Sequence, residues 1–181
     1  MADLGFWSIA GEDPDHLAVV DPDGTEISAG ELLGAANQLV HGLRQLGLEP
    51  GDSIAMVLPN SVEVFELYLA ALQAGWYLIP INHHLVGPEI AYIVQDCDAK
   101  VLVAHERFAD ACAAAAKELG FPDERSFAVG SVPGFLPYEQ LKEGQPTSLP
   151  TDRRTGAVLL YERRPRLRPR RPPPELVGGA T

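Results

Sequence analysis

Apolar residues recur along the first 161 positions in two rhythms, short unbroken runs and stripes spaced by threes and fours. Leu17-Ala18-Val19-Val20 reads as a strand entering the turn Asp21-Pro22-Asp23-Gly24, with Thr25-Glu26-Ile27 returning beside it. Ser28 and Glu31 have capping-box spacing, in which each side chain accepts a free N–H of the first helical turn. Leu32, Ala36, Leu39, Leu43 and Leu46 continue that helix as one stripe, and Gly47 is placed to end it. After the turn Pro50-Gly51-Asp52, the run Ser53 to Leu58 predicts a strand covered on both faces.

The unit then repeats. Asn60 and Glu63 read as a cap pair for a helix whose stripe is Val62, Phe65, Leu69 and Leu72, closed by Gly75 and followed by a strand from Trp76 to Pro80. Pro88 opens a third helix with Ile90, Ile93 and Val94 on one face, and Lys100 to Ala104 is its strand. Phe108 to Leu119 predicts another helix, stopped near Gly120 and Pro122, and Phe127-Ala128-Val129 a short strand. Gly130 to Arg154 reads as a long polar connection holding one short helix at Tyr138 to Leu141, before a buried strand from Ala157 to Tyr161. Strands alternating with helices at this spacing predict an α/β fold, doubly wound, with a mainly parallel sheet and helices on both faces.

Composition changes abruptly after Tyr161. From Glu162 to Pro174 the chain holds six of its 14 basic residues and five prolines, with no apolar period. With those arginines and Glu162 and Glu175 set aside, 8 basic and 23 acidic residues remain, a net charge of −15 over 1–161. Residues 1–161 are therefore expected to form an αβ unit. Residues 162–181 are expected to form a separate Arg/Pro-rich tail, disordered as a natural basic arm or produced by GC-rich coding sequence read out of frame. The acidic body argues against nucleic acid as partner. The most apolar stretch, Ala70 to Ile81, is interrupted by Gln73 and falls short of the ~20 residues a membrane span needs. With no secretory signal and two cysteines lacking CxxC spacing, a cytoplasmic setting is expected.

Several chemically suggestive residues are better explained without chemistry. His83-His84 lacks helical spacing and a third ligand, so a loop or substrate-rim position is expected over a metal. His16, His41 and His105 are scattered and read as surface or helix-face residues, and Cys97 and Cys112 read as small buried side chains. Trp76 and Tyr77 fall in a buried run and read as core. Glu12, Asp13, Asp15, Asp21 and Asp23 lie in turns without calcium-loop spacing and read as solvated surface.

In order and spacing, Thr25 to Leu46, Pro50-Gly51-Asp52 through Leu58-Pro59-Asn60, Ala70 to Gly75, Pro80-Ile81-Asn82, and Glu89 to Ile93 through Asp98 to Val103 resemble the N-terminal part of adenylate-forming enzymes. That superfamily comprises acyl-CoA synthetases, luciferases and peptide-synthetase adenylation domains, and the resemblance spans residues 6–161. Pro80 to Leu85 looks most like bacterial fatty-acid or related carboxylate CoA ligases. The resemblance implies ATP, Mg2+ and CoA as cofactors and a carboxylic (fatty) acid as substrate. The carboxylate attacks the α-phosphate to give an acyl-adenylate and pyrophosphate, and the CoA thiol then displaces AMP. The family's phosphate loop, Tyr-Thr-Ser-Gly-Thr-Thr-Gly-x-Pro-Lys-Gly, matches this chain only at Tyr161, and its later motifs have no counterpart. No catalytic, cofactor-binding or metal-binding residue is therefore assigned. The expectation is a truncated acyl-CoA synthetase, inactive as this chain and prone to self-association through exposed sheet or helix faces. The alternatives are a non-enzymatic αβ binding module with a basic arm, and a subunit that completes an active site with another chain.

Overall fold

The computed structural model describes residues 5–161, so the expectations for the tail at 162–181 lie outside the described residues. Phe6–Glu12 is a short helix (α1), and Leu17–Val20 (β1) pairs antiparallel with Glu26–Ser28 (β2). Helices and strands then alternate: Ala29–Gln45 (α2), Ser53–Val57 (β3), Val62–Ala74 (α3), Tyr77–Pro80 (β4), Gly87–Asp96 (α4), Ala99–His105 (β5) and Ala109–Leu119 (α5). Ser126–Val129 (β6), Leu136–Pro137 (β7) and Ala157–Val158 (β8) complete a six-stranded sheet of order β7-β6-β5-β3-β4-β8, parallel throughout. This is the doubly wound architecture expected from the sequence.

Side chains alternate between the two faces of this sheet with the period of two that strands impose. Ile54, Met56, Leu78, Val101, Val103 and Phe127 pack beneath α2 and α3. Ala55, Val57, Ile79, Leu102, Ala104 and Ala128 pack against α4 and α5 on the other face. All five residues of β3 are buried, which is why its apolar run is unbroken. The Ser28–Glu31 box is closed in both directions, at 2.9 and 3.3 Å. Gly47, Gly75 and Gly120 take φ of 84°, 79° and 58° at the ends of α2, α3 and α5, the left-handed stop that glycine permits.

Four local readings change. Asn60 does not cap α3: Ser61 occupies the cap position without a side-chain bond, and the Val62 N–H donates instead to Asp21 Oδ1 at 2.8 Å. Asp21 is thus a tertiary helix cap rather than solvated surface. Phe65 faces solvent at 47% exposure, because α3 turns Leu67, Ala70, Ala71 and Ala74 to the sheet and buries Glu66 and Gln73 as well. The last strand is only Ala157–Val158 and half-buried, since β4 alone pairs with it and its outer side is a sheet edge. Helix α1 and strand β7 are additions to the pattern that the sequence predicts. The first is a single cap-less segment held by Phe6 and Trp7 against Ala29 and Leu33, the second a two-residue edge strand containing Pro137.

The connection from Gly130 to Arg154 is tied down by polar side chains. Helix α2 carries a second stripe, Asn37, Gln38, His41, Arg44 and Gln45, at the same spacing as its apolar one. Asn37 Nδ2 donates to the Thr147 carbonyl (2.7 Å), Gln38 Nε2 to the Gln145 carbonyl (3.0 Å), and Arg44 pairs with Asp152 (2.8 Å). His41 Nε2 lies 3.0 Å from the Ser148 carbonyl and Gln45 bonds Gln145. Beneath them, Gln73 is fully buried. It accepts from Trp7 Nε1 at 3.0 Å and donates to Asn37 Oδ1 at 2.9 Å, so both amides are satisfied inside the protein. On the other flank of α3, Glu66 accepts from the Tyr138 hydroxyl (2.8 Å) and pairs with Lys142 Nζ (3.0 Å). Burial pushes the Glu66 carboxyl above its ordinary value, opposed by the Lys142 charge and the Tyr138 bond.

Two predictions come from this strap. Gly42 lies on α2 where the backbone passes closest, and a Cβ there would collide with the Leu141 carbonyl oxygen. Helix propensity alone makes Gly42→Ala stabilising by about 1 kcal/mol. The collision is expected to reverse the sign, to a loss of about 1–3 kcal/mol in urea unfolding. Around Glu66 the two partners are not equivalent. Lys142→Met leaves a buried carboxylate without its cation and is expected to cost about 3–5 kcal/mol, whereas Glu66→Gln, which also removes the desolvation cost, is expected to lose less. A folded-state pKa raised above the unfolded one means the native chain holds the extra proton. The Glu66 contribution is therefore present below the unfolded pKa and lost as pH rises through the folded one. Lys142→Met should steepen this, its midpoint recovering on acidification while that of Glu66→Gln responds less.

Candidate functional site

In a doubly wound sheet, the chain leaving adjacent strands toward opposite faces opens a crevice at the strands' C-terminal ends. Here the crevice lies between β3, followed by α3 on one face, and β5, followed by α5 on the other. The segments that border it are Leu58 to Ser61 after β3, Ile81 to Val86 after β4, Glu106 to Phe108 after β5 and Gly130-Ser131 after β6.

Their side chains are organised around Phe108. His83 stacks on its ring with centroids 4.6 Å apart and an interplanar angle of 18°, and His84 lies 4.3 Å from His83. The Arg107 guanidinium sits 5.9 Å from the Phe108 centroid, and His105 Nδ1 accepts the Arg107 N–H at 3.1 Å. A shallow depression of about 380 Å³ opens here, lined by His83 and the stretch Glu106 to Ala111. Glu106 crosses from the β5 loop to accept the Ser131 N–H at 3.2 Å. Gly130, at φ 78°, takes the left-handed conformation that glycine permits and lies directly against that carboxylate, so one side-chain bond links the two loops.

Among the described residues, the donor set of this depression does not suit a nucleotide triphosphate with magnesium. Within the depression one guanidinium faces two carboxylates, Glu106 and Asp110, so the local field does not favour polyanions. The N-terminus of α3, the natural anion site beside β3, has its Val62 N–H taken by Asp21. Among the described residues, no cluster of three or more His, Cys, Asp or Glu is arranged to hold a metal. What remains is a partly aromatic rim, with His83-His84 in the loop position expected from the sequence.

Other candidates fall where packing explains them. Trp76 and Tyr77 are core residues at 0% and 4% exposure. Cys97 and Cys112 are buried, and burial pushes the Cys112 thiol up to about 12, which removes it as a nucleophile. His16 is exposed and lies 3.7 Å from Asp13. Tyr161, where the phosphate-loop resemblance begins, donates its hydroxyl to Asp96 Oδ2 on α4 at 2.7 Å. The Glu66–Tyr138–Lys142 cluster escapes a reading of the sequence. A glutamate inside an apolar helical stretch is its one sequence signal.

Known proteins place this geometry. A model of the AMP-binding enzyme family matches residues 6–173. A feruloyl-CoA synthase from Amycolatopsis sp is 32% identical over 164 residues, covering 87% of this chain and 33% of that protein. The long-chain-fatty-acid–CoA ligase FadD13 of Mycobacterium tuberculosis is 33% identical over 91 residues, 50% of this chain and 18% of that one. Among solved structures, a putative long-chain-fatty-acid CoA ligase from Rhodopseudomonas palustris superposes with a TM-score of 0.73 at 29% identity, over 84% of this chain and 39% of that one. An anthranilate CoA ligase, AuaEII, shares the fold at a TM-score of 0.73 and 24% identity, over 83% of this chain and 29% of that one. The chain thus spans about a third of the length of the feruloyl-CoA synthase it matches. From Phe6 through the last strand of its sheet, this chain belongs to the family of AMP-binding, adenylate-forming enzymes.

Proposed function

We propose that this chain is the N-terminal portion of an ATP-dependent acyl-CoA ligase and that, alone, it does not activate carboxylates. The observation that carries the reading is a family-type sheet intact as far as β8 whose crevice lacks a phosphate-binding set of groups among the described residues. Activation requires charge to be offset where it develops on the α-phosphate and the leaving pyrophosphate. The rim offers Arg107 against Glu106 and Asp110, and Asp21 takes the Val62 N–H at the start of α3. ATP, Mg2+ and CoA belong to the reaction of the whole enzyme. Residues 1–161 form the αβ subdomain in this reading, 162–181 a separate tail, and the setting is cytoplasmic.

The substrate class follows from the relatives, one named for feruloyl-CoA and another for long-chain fatty acids. Both are carboxylates, and nothing in the rim separates an aromatic from an aliphatic acyl group. Among the described residues, no helix is long and apolar enough to cross a membrane. A second reading, that the chain supplies half of an active site completed by another polypeptide, gains support from the apolar surface beside β8, where Leu160 is 71% exposed.

The test is pyrophosphate release by the purified chain with ATP, Mg2+ and either ferulate or palmitate. No carboxylate-dependent signal above background is expected. Release that scales with carboxylate concentration would overturn the reading.

A further inference from the structure

Two marginal elements of the fold meet at one side chain. Helix α1 has seven residues, no side-chain cap and a single buried residue, Ala10. Isolated helices shorter than ~12–15 residues are marginal in water. Strand β8 is only Ala157–Val158, half-buried and paired with β4 alone. Both elements converge on Gln73, in the last turn of α3. Its side chain accepts the Trp7 Nε1–H at 3.0 Å, and its backbone carbonyl accepts the Arg154 N–H at 3.0 Å, just before β8. The Arg153 guanidinium completes the contact, 4.9 Å from the centroid of the Trp7 ring. Trp7 is thus held at its edge by α3 and on its face by the segment that enters β8.

We propose that α1 is a clasp on β8: through Trp7, held between Gln73 and Arg153, the N-terminal helix and the last strand open and close as one unit, ahead of the rest of the sheet. Gln73 is fully buried and its amide also donates to Asn37, so its side chain cannot follow one partner without leaving the other. Undocking of α1 takes the ring from beneath Arg153 and strands Gln73 Oε1 inside the protein. Peeling of the strand uncovers the same ring from the other side. Beyond Arg154, the N–H groups of Gly156, Ala157 and Leu159 donate in turn to Leu72, Trp76 and Leu78. Gly156 lies so close to the Ala71 and Trp76 carbonyls that no side chain fits there, and the segment therefore seats as one piece. Opening would bare the outer edge of β4 at Tyr77 and Leu78, both buried when β8 is paired. The clasp thus guards the sheet against edge-to-edge pairing and needs nothing from sequence beyond residue 161.

The test is amide hydrogen exchange of the whole chain, followed residue by residue. Trp7→Ala is expected to speed exchange about tenfold or more at Arg154, Gly156, Ala157 and Leu159 as well as in α1, while the amides of β3 stay within about twofold. Trp7→Phe keeps a ring for Arg153 and loses the bond to Gln73, so a smaller acceleration at the same amides is expected. Arg153→Ala works from the other side and should speed exchange at Ile9 and Asp13, whose N–H groups are bonded within and at the end of α1. Acceleration by Trp7→Ala confined to α1, an Arg153→Ala variant that leaves α1 unchanged, or uniform acceleration that includes β3 would each overturn the proposal. Where Trp7→Ala fails to fold, Arg153→Ala and Trp7→Phe decide the matter by the same readouts.

Discussion

The fold depends on β3 having parallel neighbours on both sides while both its faces are buried. Its ladder to β4 and β5 leaves no backbone group for water, and Ser53 to Val57 are all enclosed. Such a strand cannot be stable unless each face is roofed. The roof is supplied by crossover helices, α3 on one face and α4 and α5 on the other. Reversal of chain direction about β3 is also what creates the crevice between its loop and that of β5. Core stability and the position of the candidate site thus share one cause.

Around that centre, polar groups do what apolar burial cannot, fixing segments in one register. The Trp7–Gln73–Asn37–Thr147 series joins α1, α3, α2 and the long connection through bonds of 2.7 to 3.0 Å. Gln73 and Asn37 at its centre are buried, so losing one partner strands the next, and the network behaves as a unit. Glu66 works similarly against Tyr138 and Lys142, with a larger desolvation cost that the ammonium charge opposes only in part. Asp21 is the simplest case, one carboxylate coupling the hairpin turn to the first turn of α3.

Chemically, the described residues at the crevice form a partly aromatic rim. His83 on Phe108, Arg107 beside them and the Glu106–Ser131 tether shape one wall but supply no converging donors for a polyphosphate among the described residues. The ridge on α3 and the outer edge of β8 are left uncovered among the described residues.

The amino-acid sequence by itself determined the elements whose information is local. Capping-box spacing, glycines at three helix ends, and alternation of unbroken runs with three-and-four stripes fixed the parallel αβ architecture. The same local patterns carried the family resemblance. Tertiary structure decided whatever depends on which neighbour arrives. Asp21 and Asn60 both offer acceptors, and only the docked hairpin selects Asp21 for the Val62 N–H. Phe65 fits the helical period of a core stripe, yet α3 is turned by its contacts with α2 and the 138–142 segment, which bury Glu66 and Gln73 instead. Leu136-Pro137 becomes a strand because β6 presents a free edge to it, a fact no window of sequence contains. Periodicity reports how often a residue returns to one face; the direction that face points is set only when the partners are in place.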